Sequence, residues 1–86
     1  MTYDEIEKFF RQKNTGNLPV IINFKTRKPI KGLFIKTPDY DELRRKNLWR
    51  IVSSTHIDSF RSTHDLNLAR IFNGAEMTRL EMDKQA

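Results

Sequence analysis

Cysteine is absent from these 86 residues, so neither a disulfide nor a thiolate can brace the fold or carry its chemistry. The three glycines stand far apart and form no loop that would cradle a phosphate. No serine occupies a nucleophile-elbow motif. His56 and His64 lack the spacing of a zinc pair, and Asp58 and Asp65 do not complete a ligand set. The chain therefore reads as non-enzymatic, with no metal site and no cofactor. No apolar run approaches the roughly 18 residues of a membrane-spanning helix. The opening stretch Tyr3-Asp4-Glu5-Ile6-Glu7-Lys8 is charged and amphipathic, unlike a basic-then-apolar secretory leader. The expected compartment is the cytoplasm, with no membrane partner.

Positive charge is what the chain has in excess. Lysine and arginine number 16 against 11 acidic residues, a formal net charge of +5. Nine of the 16 fall in one stretch: Lys25, Arg27, Lys28, Lys31, Lys36, Arg44, Arg45, Lys46 and Arg50. Such a cluster is the electrostatic footprint of a polyanion-binding protein, although charge also serves plain solubility. The length suits a single domain that buries about 60% of the surface its unfolded chain would expose.

Hydrophobic periodicity gives the order of elements. Thr2 and Glu5 have the spacing of a capping box, in which the hydroxyl accepts from the Glu5 N–H and the carboxylate accepts from the Thr2 N–H. Asp4, Glu5 and Glu7 open the segment, and Lys8, Arg11 and Lys13 close it, the polarity that a helix dipole favours. With Ile6, Phe9 and Phe10 at helical spacing, a helix is predicted over 2–14, ended by Asn14-Thr15-Gly16. From Val20 the period becomes two. Strands are predicted on either side of the polar break Thr26-Arg27-Lys28-Pro29, and Gly32 marks a bend or bulge in the second. Residues 36–46 leave room for one helical turn near Tyr40 to Arg45, with Asp39 as its N-cap. Asn47 to Val52 reads as a third strand, and Ser53 to Asp65 as either a short helix or a loop. Asn73-Gly74, between strand-like runs at 68–72 and 75–80, carries a hairpin signal because both residues tolerate positive φ. A frayed tail is expected over 82–86. A helix followed by five short strands predicts a mainly β fold, a small and strongly curved five-stranded barrel over 18–81.

Two segments in that order resemble a known pattern. VIINFKTRKPIKGLFI supplies alternation, a polar turn and Gly32, and DYDELRRKNLWRIV follows with Asp39 or Asp41 and then Asn47-Leu48 and Ile51-Val52. LARIFNGAEMTRL supplies a hydrophobic strand, a tight turn at Asn73-Gly74 and a closing strand. Together they resemble the two motifs of the Sm-like family (the Hfq and LSm type). That resemblance implies an SH3-like barrel with an N-terminal helix, assembly into a homo-oligomer through edge strands, and binding of uridine- or adenine-rich RNA. The chain departs from the pattern at three places. The stretch from Gly32 to Asn47 is longer, Lys46 stands where an aromatic or methionine is usual, and Asn73 replaces the usual arginine.

The candidate nucleic-acid-binding residues are Lys25, Arg27, Lys28, Lys31, Arg44, Arg45, Lys46 and Arg50 for phosphates, with Tyr40 or Trp49 for stacking on bases. One of Leu48 and Trp49 should face outward, whereas Phe24 and Phe34 read as core. Asn47 has two readings, a base-reading amide as in the family or a cap on the turn before the third strand. Asn73 joins the set at the turn, where backbone conformation is the stronger reason for asparagine. The alternative function is a protein-interaction or structural module of the same fold.

Overall fold

The structure is a computed structural model and describes residues 1–13 and 18–82. Its first element is the helix α1, Tyr3–Lys13. The capping box is formed: the Thr2 N–H donates to Glu5 Oε1 at 2.9 Å, and the Glu5 N–H donates to Thr2 Oγ1 at 3.3 Å. The Thr2 N–H first, and then the Thr2 hydroxyl donating to Glu5 Oε1 at 3.2 Å, hold the Glu5 carboxyl below its usual range. Ile6 is wholly buried, and Phe9 and Phe10 pack half-buried against the same core. The expected helix stop at Asn14-Thr15-Gly16 and all of the expected 82–86 tail but Met82, which ends the last strand, lie outside the described residues.

Five strands follow: β1 (Val20–Phe24), β2 (Ile30–Phe34), β3 (Leu48–Ser53), β4 (Ala69–Asn73) and β5 (Met77–Met82). All pairings are antiparallel, and the order across the sheet is β4-β3-β2-β1-β5. The sheet therefore ends on β4 and β5 and is not closed by a ladder between them among the described residues. It is nevertheless sharply bent. Phe24 of β1 and Phe72 of β4 have two whole strands, β2 and β3, between them in the sheet, yet their ring centroids are 5.8 Å apart.

Both faces of the sheet's middle are covered. On one side α1 closes over Val20, Ile22, Trp49, Ile51, Met77 and Leu80. On the other, Leu33 and Val52 pack with Ile57, the first residue of a helix α3, Ile57–Thr63, and with Phe60 on the same helix. Alternation along β3 explains this: Trp49 and Ile51 point one way and Val52 the other. Each such side chain contributes roughly 1.5–3 kcal/mol by leaving water. The polar excursion after Ser53 is thus helical, because Ile57 and Phe60 are needed as a lid on the second face.

Two turns differ from the sequence expectation. Asn73-Gly74 is not a two-residue hairpin, since β4 and β5 do not pair with each other. Residues Gly74–Glu76 form a 3-10 turn that carries the chain from one sheet edge to the other, and Asn73 has φ −85°. The bulge is also elsewhere. Gly32 sits in regular register opposite Val20 and Ser53, and the irregularity falls between Asn23 and Phe24 on β1 where it pairs with β5. Gly32 answers a different need, close packing, because a Cβ there would lie 2.6 Å from Ile51 Cγ2 and 3.2 Å from the Val52 carbonyl oxygen.

The long connection between β2 and β3 holds the helix α2, Tyr40–Arg45. Asp39 precedes it, but its carboxylate makes no capping bond to the helix. It accepts instead from Arg50 Nη2 at 2.7 Å and Nε at 3.3 Å, and from the Thr37 hydroxyl. Those bonds, Arg50 first, lower the Asp39 pKa to about 2. A depressed carboxylate stabilises the fold above its ordinary pKa of 3.8 and stops doing so as pH falls toward about 2. Thermal melts between pH 5 and pH 2 should therefore show stability falling through that window. Asp39→Asn should flatten that part of the profile, and an unchanged profile would refute the assignment.

Candidate nucleic-acid interface

The basic residues of the sequence cluster divide into two groups with different work. The arginines of the second half hold elements together. Arg44 on α2 makes an ion pair with Glu7 on α1 through Nη1, and Nη2 lies 3.8 Å from Asp41. Arg50 clamps Asp39 as described, joining the start of α2 to β3. The Arg44 and Arg50 guanidiniums are each held more basic than usual, first by the hydrogen bond to their carboxylate. Neither is presented as an unoccupied cation, so a phosphate at either would compete with the carboxylate already there. Arg45 and Lys46 are exposed, with Lys46 Nζ 4.0 Å from Glu42 one turn back.

The loop between β1 and β2 is different. Lys25, Arg27 and Lys28 are all exposed, as is Lys31 on β2. The Arg27 guanidinium lies over two rings at once, 5.2 Å from the Phe24 centroid and 5.7 Å from that of Phe72. A cation over aromatic faces is stabilised by the ring quadrupole. The Lys25 N–H donates to the Glu76 carbonyl at 3.0 Å, which fastens the loop to the turn before β5. Phe72 carried no signal in the sequence: it joins the loop only because the sheet bends β4 back onto the end of β1.

The aromatic and amide candidates have moved inward. Trp49 is 2% exposed and its indole N–H donates to Asn47 Oδ1 at 2.9 Å, so this ring is core and not a stacking platform. Tyr40 is half-buried with Lys36 Nζ 5.4 Å above its ring, and burial followed by the Glu7 carboxylate raises the pKa of its phenol. Asn47 adopts φ 58°, one of two non-glycine residues with positive φ among those described. Its Nδ2 donates to the Met1 carbonyl at 2.8 Å, and its own carbonyl accepts from the Gly74 N–H at 2.8 Å. The amide's oxygen and one of its protons are thus used internally. Of the two readings, the structural one accounts for its contacts. Asn73 is exposed, and its side chain accepts from the Ala75 N–H at 2.9 Å, an Asx turn that opens the 3-10 segment.

Around Asn47 the two ends of the chain's long connections meet. The Met1 amino group donates to the carbonyls of Gly74 at 2.9 Å and Met77 at 2.6 Å. Residues before β3, before β5 and before α1 are thereby joined at one point. Among the described residues no group of three or more histidine, aspartate or glutamate side chains is placed to hold a metal ion. No described helix is long and apolar enough to cross a membrane. No family model matches the chain, and comparison with curated proteins and solved structures yields no significant relative.

Proposed function

We propose that the chain is a non-catalytic nucleic-acid-binding module of the SH3-like, Sm-like type, acting on single-stranded RNA through the loop between β1 and β2. The observation that carries this reading is Arg27 lying over Phe24 and Phe72 with Lys25 and Lys28 exposed beside it. Aromatic faces topped by cations, on a chain of net charge +5, suit a strand whose bases stack and whose phosphates need counterions. The strand order, the N-terminal helix and the meeting of Asn47 with Gly74 agree with an Sm-like origin. The helix α2 accounts for the extra residues between Gly32 and Asn47. Edges β4 and β5 each lack a further strand among the described residues, which leaves room for the homo-oligomer of that reading, measurable as solution mass at micromolar concentration.

The test is affinity for a uridine- or adenine-rich single strand as a function of salt. Each phosphate neutralised adds roughly 0.7 to the slope of log affinity against log salt. Replacing Lys25, Arg27 and Lys28 together by alanine should lower that slope by about 2 and weaken binding at least tenfold near 0.1 M salt. Binding that is absent at low salt, or indifferent to the triple substitution, would sink the proposal. A protein partner is the second reading, favoured by Ile71 on edge β4 and the nearby Leu66, which are 49% and 44% exposed. Recovery of a partner that survives nuclease treatment would favour it.

A further inference from the structure

Between α1, the end of β2 and α2 lies an open cleft of about 580 Å³, a size common among small-ligand sites. Four aromatic rings and five charged side chains make up most of its lining. The Phe34 ring meets Phe10 edge-on at 4.8 Å and Trp49 at 5.9 Å, and Tyr40 meets Trp49 at 6.1 Å. Trp49 forms the floor, whereas Phe10, Phe34 and Tyr40 remain only half-buried along the same concavity. A chain this small has few large rings, and leaving three of them partly wet on one side is an unspent hydrophobic gain.

Charge in the cleft is mixed but tilted. Arg11, Lys36 and Arg44 face it against Glu7 and Asp41, one cation in excess. Arg44 is occupied through its outer nitrogens by those two carboxylates. Its Nε is the one buried side-chain nitrogen or oxygen without a protein partner among the described residues. A buried donor left without an acceptor is costly and calls for an explanation, and an acceptor-bearing occupant of this wall would supply one.

We propose that the cleft binds a nucleoside monophosphate, free or as the 5′-phosphorylated end of a strand, with its base against Phe34 and Tyr40 and its phosphate toward Lys36 and Arg11. A flat ring would complete the edge-to-face set, and the phosphate would meet the two cations of the cleft that no carboxylate holds among the described residues. This site does not rest on the loop reading, because Lys25, Arg27 and Lys28 do not line the cleft.

The test uses the full chain labelled with nitrogen-15 and titrated with AMP, UMP, the parent nucleosides and inorganic phosphate. Trp49 is the sole tryptophan, so its indole N–H signal reports on the cleft floor without ambiguity, and the Arg44 Nε–H signal reports on the wall. Both should shift saturably with a monophosphate, at a concentration at least tenfold below that needed for the nucleoside or for phosphate alone. Arg11→Ala combined with Lys36→Ala, both exposed positions, should weaken binding about tenfold or more while the melting temperature falls by no more than about 8 °C, the share of the Lys36–Tyr40 contact. The Lys25, Arg27, Lys28 triple variant should bind the monophosphate as the parent does, even if it has lost RNA. Hexanucleotides with and without a 5′-phosphate separate the two sources: tighter binding of the phosphorylated strand than of UMP assigns the strand end, and the reverse order assigns the free nucleotide. Absence of a saturable shift at Trp49 and Arg44, an equal response to inorganic phosphate, or indifference to the double variant would overturn the proposal.

Discussion

Trp49→Ala is expected to lose about 3–5 kcal/mol, the range for deleting a fully packed aromatic side chain. An 86-residue domain has roughly 4–13 kcal/mol of stability in all, so this variant should lose between about a quarter and all of it. The size of the effect comes from three contributions that act at one place. The indole is 2% exposed at the centre of the larger core cluster, with Ile6, Val20, Ile22, Ile51, Met77 and Leu80 as fellow members. It stands edge-to-face with Phe34 and Tyr40, arrangements worth about 0.5–1.5 kcal/mol each beyond buried area. Its N–H satisfies Asn47 Oδ1. Trp49→Phe isolates the last contribution together with a smaller cavity, and should cost about 1–3 kcal/mol while leaving a folded domain. Denaturant titration followed by far-ultraviolet circular dichroism measures both. Had Trp49 been a surface ring for stacking on bases, Trp49→Ala would lower RNA affinity with stability nearly unchanged, so the pair of measurements decides between the two placements.

How far the sequence reveals this molecule depends on whether a signal is local. The helix α1 was legible because its cap, its charge order and its apolar spacing all lie within eleven residues of one another. The strands β1, β2 and β3 were legible from alternation, and α2 falls on the residues that Asp39 as an N-cap suggested. Asp39 stands where expected for a different reason, since Arg50, eleven residues on, takes the carboxylate that a helix N-terminus would have used. The Asn73-Gly74 signal misled because hairpin chemistry is a property of two residues, whereas pairing is a property of the sheet. Once β3 has claimed β4 and β1 has claimed β5, the chain must cross between edges, and a 3-10 turn does that. The site divides the same way. Exposure of Lys25, Arg27 and Lys28 follows from a polar break between strands, while the pairing of Arg44 with Glu7, 37 residues away, and of Phe24 with Phe72 belongs to the tertiary fold alone.

Gly74→Ala carries the second large effect, and it tests whether that crossing turn is fixed by Asn47. A Cβ on Gly74 would overlap the Asn47 carboxamide, with Cγ only 2.7 Å away and Nδ2 2.9 Å. The amide has no easy retreat: its oxygen holds the Trp49 indole N–H and its nitrogen holds the Met1 carbonyl. Overpacking of this kind costs about 1–3 kcal/mol, and displacing the amide would add about 0.5–1.5 kcal/mol for each of the two hydrogen bonds lost. The loss expected for Gly74→Ala is thus about 2–6 kcal/mol. Asn47→Gly removes the obstruction and keeps the left-handed backbone at φ 58°, losing only the amide's bonds. In a double-mutant cycle the pair should therefore be less destabilised than the sum of the two singles, by about 1–3 kcal/mol. Asn47→Ala should be worse than Asn47→Gly by about 1–2 kcal/mol, because alanine resists the left-handed conformation. Additive singles would mean that Gly74 is needed for something other than room for Asn47. The junction of α1, β3 and β5 would then not be held through that amide, and the internal role assigned to Asn47 would fail with it.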